Sequence, residues 1–284
     1  MEAKELNKVS GAVADLPPDF QSASDEAWRH VRETPGYLAE REARFLILAA
    51  ACAPANGAIV EIGSFKGRST VGLACVAQRY ELGKVVAVDP HTSPSDTDPH
   101  LGGQGSSYDD FLANVQRAGV AKSVDSRRMF SRELASTWSQ PIRLLWIDGD
   151  HNYAAVKEDL ALFRPYLARG AILAMHDVLG TWEGPLCAFV DEVLGSDDFG
   201  PAGFCGSIGW AQHRPDDGGA RRFRWTRRRL AWPSRHLISV ARAGRNAVGL
   251  NKWRYKLWRA LAPHHAVDPA RWVGQVALPR RVRG

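Results

Sequence analysis

The fold of this chain is decided by the stretch Gly57-Ala-Ile-Val-Glu-Ile-Gly-Ser-Phe-Lys-Gly-Arg-Ser-Thr70. Its apolar first half predicts a strand over 58–62, and the residues from Ser69 to Arg79 predict a helix. Between them lies Gly63-x-x-x-Gly67, and glycine, which has no Cβ, lets the backbone approach a ligand closely. The first residues of a helix also have free N–H groups. The stretch therefore predicts a strand–turn–helix unit that binds a ligand.

A second apolar run, Val85 to Val88, ends in Asp89. In Rossmann-type folds an acid at the end of the second strand holds the ribose hydroxyls of a bound nucleoside. The turn lacks the Gly-x-Gly-x-x-Gly fingerprint of dinucleotide-binding proteins. Glu61-x-Gly63-x-x-x-Gly67 followed by Asp89 instead resembles S-adenosylmethionine-dependent methyltransferases. Any doubly wound fold needs a glycine turn after its first strand, so the spacing alone leaves a purely structural turn open as well.

Strands and helices alternate along the rest of the chain. Further strands are predicted at 124–130, 142–147 and 171–175, and a hairpin at 204–213; helices are predicted at 25–32, 37–52, 108–118, 153–168 and 186–194. This order predicts an α/β fold with a doubly wound, mostly parallel, Rossmann-like sheet. The polar loop from Pro90 to Ser107 is predicted to be a lid over the ligand.

The charge of the chain is divided sharply. Residues 219–284 contain seventeen Lys and Arg and a single acid, Asp268, whereas the other residues include twenty basic and thirty acidic side chains. We therefore predict a polar segment over 1–34, a globular domain over 35–218 and a basic, helical extension over 219–284. There is no apolar run of bilayer-spanning length and no apolar signal core, and the four cysteines are scattered, so we expect a cytoplasmic protein.

Polar residues also follow the predicted strands that end at Ile147 and Met175. The first strand is followed by Asp148-x-Asp150-His151 and the second by His176-Asp177. Neighbouring strands lie about 4.8 Å apart, so these side chains can meet where doubly wound sheets bind their ligands. Crowded carboxylates favour a hard divalent cation, Mg²⁺ or Mn²⁺. The alternative is that both segments are turns that cap the next element.

Three motifs carry a resemblance to a known family. They are Ile59-Val-Glu-Ile-Gly-Ser-Phe-Lys-Gly-Arg-Ser-Thr70, Trp146-Ile-Asp-Gly-Asp-His-Asn-Tyr153 and Gly170-Ala-Ile-Leu-Ala-Met-His-Asp-Val178. In this order they resemble a bacterial class I methyltransferase family that includes metal-dependent sugar O-methyltransferases of antibiotic biosynthesis and cephalosporin hydroxylase-like proteins. The resemblance covers residues 35–213.

The resemblance implies a role for each matching residue. The methionine part of S-adenosylmethionine would be bordered by Glu61, Gly63, Ser64, Gly67 and Ser69. Asp89 would hold its ribose. The implied metal ligands are Asp148 and Asp177, with His176 standing where some relatives have a second carboxylate. Near the adenine, Met129-Phe130-Ser131 departs from the Gly-Asp-Ser that relatives often carry.

The implied reaction is methylation of a sugar hydroxyl in a glycoside, glycolipid or natural product. A bound metal would orient the acceptor hydroxyls and lower the pKa of one. His151 is the preferred base because its ordinary pKa is near neutral, and Asp150 is the rival. Two alternatives are an iron hydroxylase using both His151 and His176, and a non-catalytic adaptor that acts through the basic extension.

The extension itself is amphipathic. Leu250, Trp253, Leu257 and Leu261 recur on one helical face, with Lys252, Lys256 and Arg259 on the opposite side. A basic helix with tryptophan is typical of a membrane surface, which would place the protein at the inner face of the membrane. The alternatives are packing on the chain itself or in a homo-oligomer, and nucleic acid as the less favoured partner of the Arg-aromatic run 221–229.

Overall fold

Seven strands form one sheet in the computed structural model, which describes residues 15–92, 105–180, 182–242 and 249–278. The strands are β1 (Ala58–Ile62), β2 (Val85–Val88), β3 (Val124–Arg127), β4 (Ile142–Ile147), β5 (Leu167–Met175), β6 (Phe199–Cys205) and β7 (Ile208–His213). Their order is β3-β2-β1-β4-β5-β7-β6. The first five run parallel, and β7 is antiparallel to both β5 and β6. The predicted α/β class and mostly parallel sheet are confirmed.

Helices cover both faces of the sheet. They are α1 (Phe20–Glu33), α2 (Glu40–Cys52), α3 (Arg68–Arg79), α4 (Tyr108–Arg117), α5 (Ser131–Ala135), α6 (Tyr153–Phe163), α7 (Glu183–Ala188), α8 (Arg221–Ala241), α9 (Leu250–Leu261) and α10 (Pro269–Val276). Alternate residues of each strand point to opposite faces. Thus Ile59 packs with α1, α2, α3 and α10, whereas Val60 packs with α6, α7 and α8.

Several element boundaries differ from the sequence prediction. The helix predicted over 153–168 ends at Phe163, because Arg164–Tyr166 form a 3-10 turn that contains Pro165 and β5 begins directly after it. The second half of the helix predicted over 186–194 is π-helical, over Phe189–Leu194. The hairpin begins five residues earlier than predicted, at Phe199, which pairs with His213. Residues 93–104 of the predicted lid lie outside the described residues.

The segments on either side of the predicted domain also pack on it. Ala27 and Val31 of α1 are buried in the core that α2 and α3 share. Trp272 of α10 is buried against Phe45 and Trp210, with ring centroids 5.9 and 5.6 Å away. The part of the basic extension that the structure describes is therefore helical, and α10 completes the core. Among the described helices, none has the length and apolarity needed to cross a bilayer.

Candidate active site

The carboxyl ends of β1, β2, β4 and β5 border one cavity of about 1160 Å³. Most of the predicted site residues lie in its wall: Gly63, Ser64, Ser69, Asp89, Asp148, Asp150, His151, His176 and Asp177. Two predicted residues lie elsewhere. Gly67 is the residue before α3 and packs against Phe111, and Glu61 lies beneath the turn. The topology of a parallel sheet brings residues from four separate segments to one edge.

Gly63 has a conformation and a position that other residues do not tolerate. Its φ is +85°, in the left-handed region. A Cβ atom there would lie 2.2 Å from the backbone oxygen of Asp148. The need for glycine at this position therefore comes first from the close contact between the β1 and β4 ends.

Asp89 fastens the turn from the neighbouring strand. Its Oδ2 accepts hydrogen bonds from the backbone N–H groups of Ser64 and Phe65, at 2.9 and 2.8 Å. Its Oδ1 accepts one from the N–H of His91 at 2.6 Å. Phe65 and His91 both have positive φ, of 44° and 52°. Such strained backbone is costly and persists where the surroundings hold it, often at functional sites. The ribose role of Asp89 stays a prediction.

Glu61 is buried below the turn and contacts the start of α3. The hydroxyls of Ser69 and Thr70 donate to its two carboxylate oxygens. The pKa of Glu61 is raised to about 8, chiefly by burial and to a smaller extent by the charges of Asp148 and Asp89. The two hydrogen bonds lower it and so offset part of this effect. Glu61 therefore positions the helix start from below and does not itself contact the cavity.

Replacing Glu61 by glutamine is expected to flatten the dependence of stability on pH. Because the pKa of Glu61 is raised in the folded state, its contribution to the free energy of unfolding is complete below about pH 4.5 and is lost as the pH rises to about 8. Urea unfolding of both proteins between these limits measures the difference. Exposed Glu26→Gln is the matched control. Parallel profiles for wild type and Glu61→Gln would show that Glu61 is ionised throughout.

His176 links two carboxylates in the cavity wall. Its Nδ1 lies 3.0 Å from Oδ1 of Asp148, and its Nε2 lies 3.7 Å from Oε2 of Glu42. Burial disfavours the charged ring, but Asp148 and then Glu42 hold the pKa of His176 well above its usual value. Burial likewise opposes the charge of Glu42, yet His176 and the backbone N–H groups of Ser207 and Ala39 hold its pKa at about 2. The three side chains form a chain of contacts in which His176 and Glu42 are buried and Asp148 is half-buried.

His151 forms a second pair, with Asp177. The ring Nε2 lies 3.1 Å from Oδ2 of Asp177. Because the carboxylate is an acceptor, the neutral form of the ring carries its proton on Nε2 and has its lone pair on Nδ1. Nδ1 is buried and has no hydrogen-bond partner in the part of the chain that the structure describes. The ring of Trp182 stacks on that of His151, with centroids 4.7 Å apart.

The rival base, Asp150, is placed differently. It is exposed, and its Oδ1 accepts a hydrogen bond from the backbone N–H of Asn152 at 2.8 Å, just before α6 begins. This contact is typical of a turn that precedes a helix, which the sequence analysis gave as the alternative to a metal site for this segment. Asp150 lies at the rim of the cavity, whereas His151 is held inside it.

The predicted metal ligands Asp148 and Asp177 are each in contact with a histidine. Oδ1 of Asp148 lies 3.0 Å from Nδ1 of His176, and Oδ2 of Asp177 lies 3.1 Å from Nε2 of His151, so one oxygen of each carboxylate is engaged by a histidine. Within the described residues, no group of three or more His, Cys, Asp or Glu side chains is placed to hold a metal ion. Magnesium can be held by one or two carboxylates with water completing its octahedral shell, so the magnesium role of Asp148 and Asp177 stays a prediction.

Sequence reasoning missed two acids of the site. Glu42 lies on α2, which precedes the first strand and therefore carried no signal of a strand end. Asp159 lies on α6 and accepts the hydroxyl of Ser131 at 2.5 Å; burial raises the pKa of Asp159 to about 6. Only the packing of helices over the sheet edge brings these acids to the cavity.

Comparisons with known proteins agree with this architecture. Residues 60–178 match the family model Methyltransf_24, described as a methyltransferase domain. The solved O-methyltransferase NovP is 11% identical, with a TM-score of 0.54 over 69% of this chain and 98% of that chain. CalS11, a TDP-rhamnose 3'-O-methyltransferase of calicheamicin biosynthesis, is 20% identical, with a TM-score of 0.44 over 71% and 97%. An O-methyltransferase from Bacillus cereus in complex with SAH is 18% identical, with a TM-score of 0.49 over 67% and 90%. At these identities the likeness to NovP shows a shared fold.

Proposed function

We propose that this chain, whose residues 60–178 form a class I methyltransferase domain, is an S-adenosylmethionine-dependent O-methyltransferase that acts on a sugar hydroxyl. The predicted family resemblance and the prediction of an enzyme of this class are confirmed at the level of the domain. The observation that carries the proposal is the cavity at the carboxyl ends of the strands, where the glycine turn, Asp89 and the His151–Asp177 pair meet. The sugar acceptor is supported by the sequence motifs alone.

The cavity wall fits a polar cofactor. The Oγ of Ser64 and the Nε2 of His91 are buried there without a hydrogen-bond partner among the described residues. Buried polar atoms are normally paired, so such atoms in a cavity wall favour a polar ligand. Ser64, Asp89 and His91 are the residues that would hold the cofactor. When bound, S-adenosylmethionine supplies a methyl group already activated by a sulfonium.

His151 is the group that takes the proton of the acceptor hydroxyl. In the neutral ring, Nδ1 has the lone pair that accepts the proton, and Asp177 stabilises the positive charge that the ring then gains. Burial alone would raise the pKa of Asp177, but the contacts with His151 and His176 lower it. The carboxylate also fixes the ring orientation, as in hydrolytic triads. Trp182 covers one face of the ring and excludes water from it.

The Asp148–His176–Glu42 chain takes the position where a metal site was predicted. A protonated His176 already neutralises charge between Asp148 and Glu42. The residues here therefore favour a transfer that needs no added cation, and we derive no catalytic step through a metal.

The first test is isothermal titration calorimetry of S-adenosylmethionine and S-adenosylhomocysteine, with Mg²⁺ and with EDTA. We expect affinities in the micromolar range that do not depend on the metal. Asp89→Ala should weaken binding about tenfold or more, because three backbone N–H groups lose their acceptor and the turn loosens. Exposed Asp109→Ala is the matched control.

Three results would contradict the proposal in separate parts. If neither compound binds under either condition, the proposal of an S-adenosylmethionine cofactor is wrong. If binding requires Mg²⁺, the proposal of a metal-independent site is wrong. Methyl transfer to catechols or proteins but to no glycoside, in a screen with labelled cofactor, removes the sugar acceptor.

A further inference from the structure

The helix α9 presents a stripe of large apolar side chains to solvent. Leu250, Trp253, Leu257 and Leu261 are between 51% and 77% exposed. Their spacing of three and four residues places them on one face of the helix. Single exposed apolar residues are ordinary, but a contiguous group of this kind marks an interaction surface. We call these four residues the α9 stripe.

The direction of the α9 stripe is fixed by packing on the opposite side of the helix. Trp258 contacts both Trp232 and His236 of α8, with ring centroids 5.1 and 4.1 Å away. The hydroxyl of Tyr255 donates to the backbone oxygen of Leu179 at 3.0 Å. Because Tyr255 and Trp258 face the protein, the α9 stripe faces away from it.

Positive charge surrounds the α9 stripe. The helices α8 and α9 contain eleven Lys and Arg and no acid. Some of these arginines are paired with the domain, as Arg224 and Arg227 are with Asp197. Lys252 and Lys256 are exposed, and neither has an acidic partner among the residues that the structure describes.

We propose that the α8–α9 surface docks on an anionic lipid bilayer. Tryptophan and leucine beside lysine match the acyl boundary and the anionic headgroups of such a surface. Nucleic acid would supply phosphates for the basic residues but would leave the three leucines of the stripe without an apolar partner. A second copy of the chain would bring two equally positive surfaces together, which like-charge repulsion opposes.

Docking here would place the bilayer beside the cavity. Tyr255 contacts Leu179 and Gly180, which follow Asp177, and Arg242 pairs with Glu183 at 2.6 Å. Trp182, next to Glu183, lies in the cavity wall. An acceptor carried by the membrane would therefore approach the molecule on the side where α9 and α8 contact the segment around Trp182; this consequence rests on the proposed function, whereas the docking does not.

The test is co-sedimentation of the full chain with vesicles. We expect binding to an equal mixture of phosphatidylcholine and phosphatidylglycerol, and binding at least about tenfold weaker to phosphatidylcholine alone or at high salt. The double variant Trp253→Ser/Leu257→Ser should lose about tenfold or more of the affinity for the mixture, because two apolar anchors are removed. The double variant Lys252→Glu/Lys256→Glu should lose at least as much.

Matched controls separate this surface from general effects. Leu112→Ser removes a half-exposed apolar side chain on α4, and Lys84→Glu/Lys122→Glu makes the same charge change on exposed residues by β2 and β3. Both controls should bind vesicles like the wild type, and circular dichroism should show all variants folded. The proposal is overturned if the wild type does not bind the anionic vesicles, or if the controls lose as much binding as the α9 variants. Dimerisation in sedimentation velocity or binding to duplex DNA, without vesicle binding, would identify the true partner.

Discussion

Replacing His151 by alanine is expected to lower the rate of methyl transfer about 10²–10⁴-fold, the usual contribution of a positioned general base. The loss should appear in kcat, because His151 is the proposed proton acceptor. It does not belong to the glycine turn that would bind the cofactor. Affinity for S-adenosylhomocysteine should therefore change by no more than a few fold. Single-turnover assays and calorimetry on the same protein separate the two quantities.

Asp150→Ala is the matched control for this experiment. Asp150 immediately precedes His151 but is exposed and bonded to the N–H of Asn152, so its loss should disturb only the turn before α6. If Asp150→Ala abolishes transfer and His151→Ala does not, the roles of the two residues are reversed.

Replacing Gly63 by alanine is expected to reduce both stability and cofactor binding severely. The φ of +85° costs alanine about 1–2 kcal/mol. The new Cβ would also lie 2.2 Å from the Asp148 oxygen, and such overpacking costs about a further 1–3 kcal/mol. Relief of the clash must push the β1 and β4 ends apart, which displaces the turn that Asp89 fastens. Urea unfolding and calorimetry measure the two effects.

Gly83 provides the matched control for the same substitution. Its φ is +86°, nearly that of Gly63, but apart from its two chain neighbours no described residue has an atom within 4 Å of a Cβ built there. Gly83→Ala should therefore show the conformational cost alone, about 1–2 kcal/mol, and should bind the cofactor normally. Equal destabilisation by the two substitutions would mean that the contact with Asp148 is unimportant.

Three strands of the sheet were predicted with the bounds that the structure has. Ala58–Ile62, Val85–Val88 and Ile142–Ile147 are apolar runs that end sharply in glycine or aspartate, and such local signals set both limits of a buried strand. The strand β5 was predicted to begin at Ala171 but begins at Leu167, where it pairs with Ile142 of β4. A pairing partner extended the strand beyond its apolar run, and no local pattern contains that information.

The sequence by itself determined most of the order of strands and helices along the domain, the polar strand ends that border the cavity and the amphipathic pattern from Leu250 to Leu261. These features depend on local periodicity and composition. The tertiary structure decided how the side chains pair. It placed Glu61 beneath the turn, brought Glu42 from α2 to His176, and turned the α9 stripe outward. Side-chain direction and partners depend on the packing of elements far apart in the chain, and packing is a property of the whole fold.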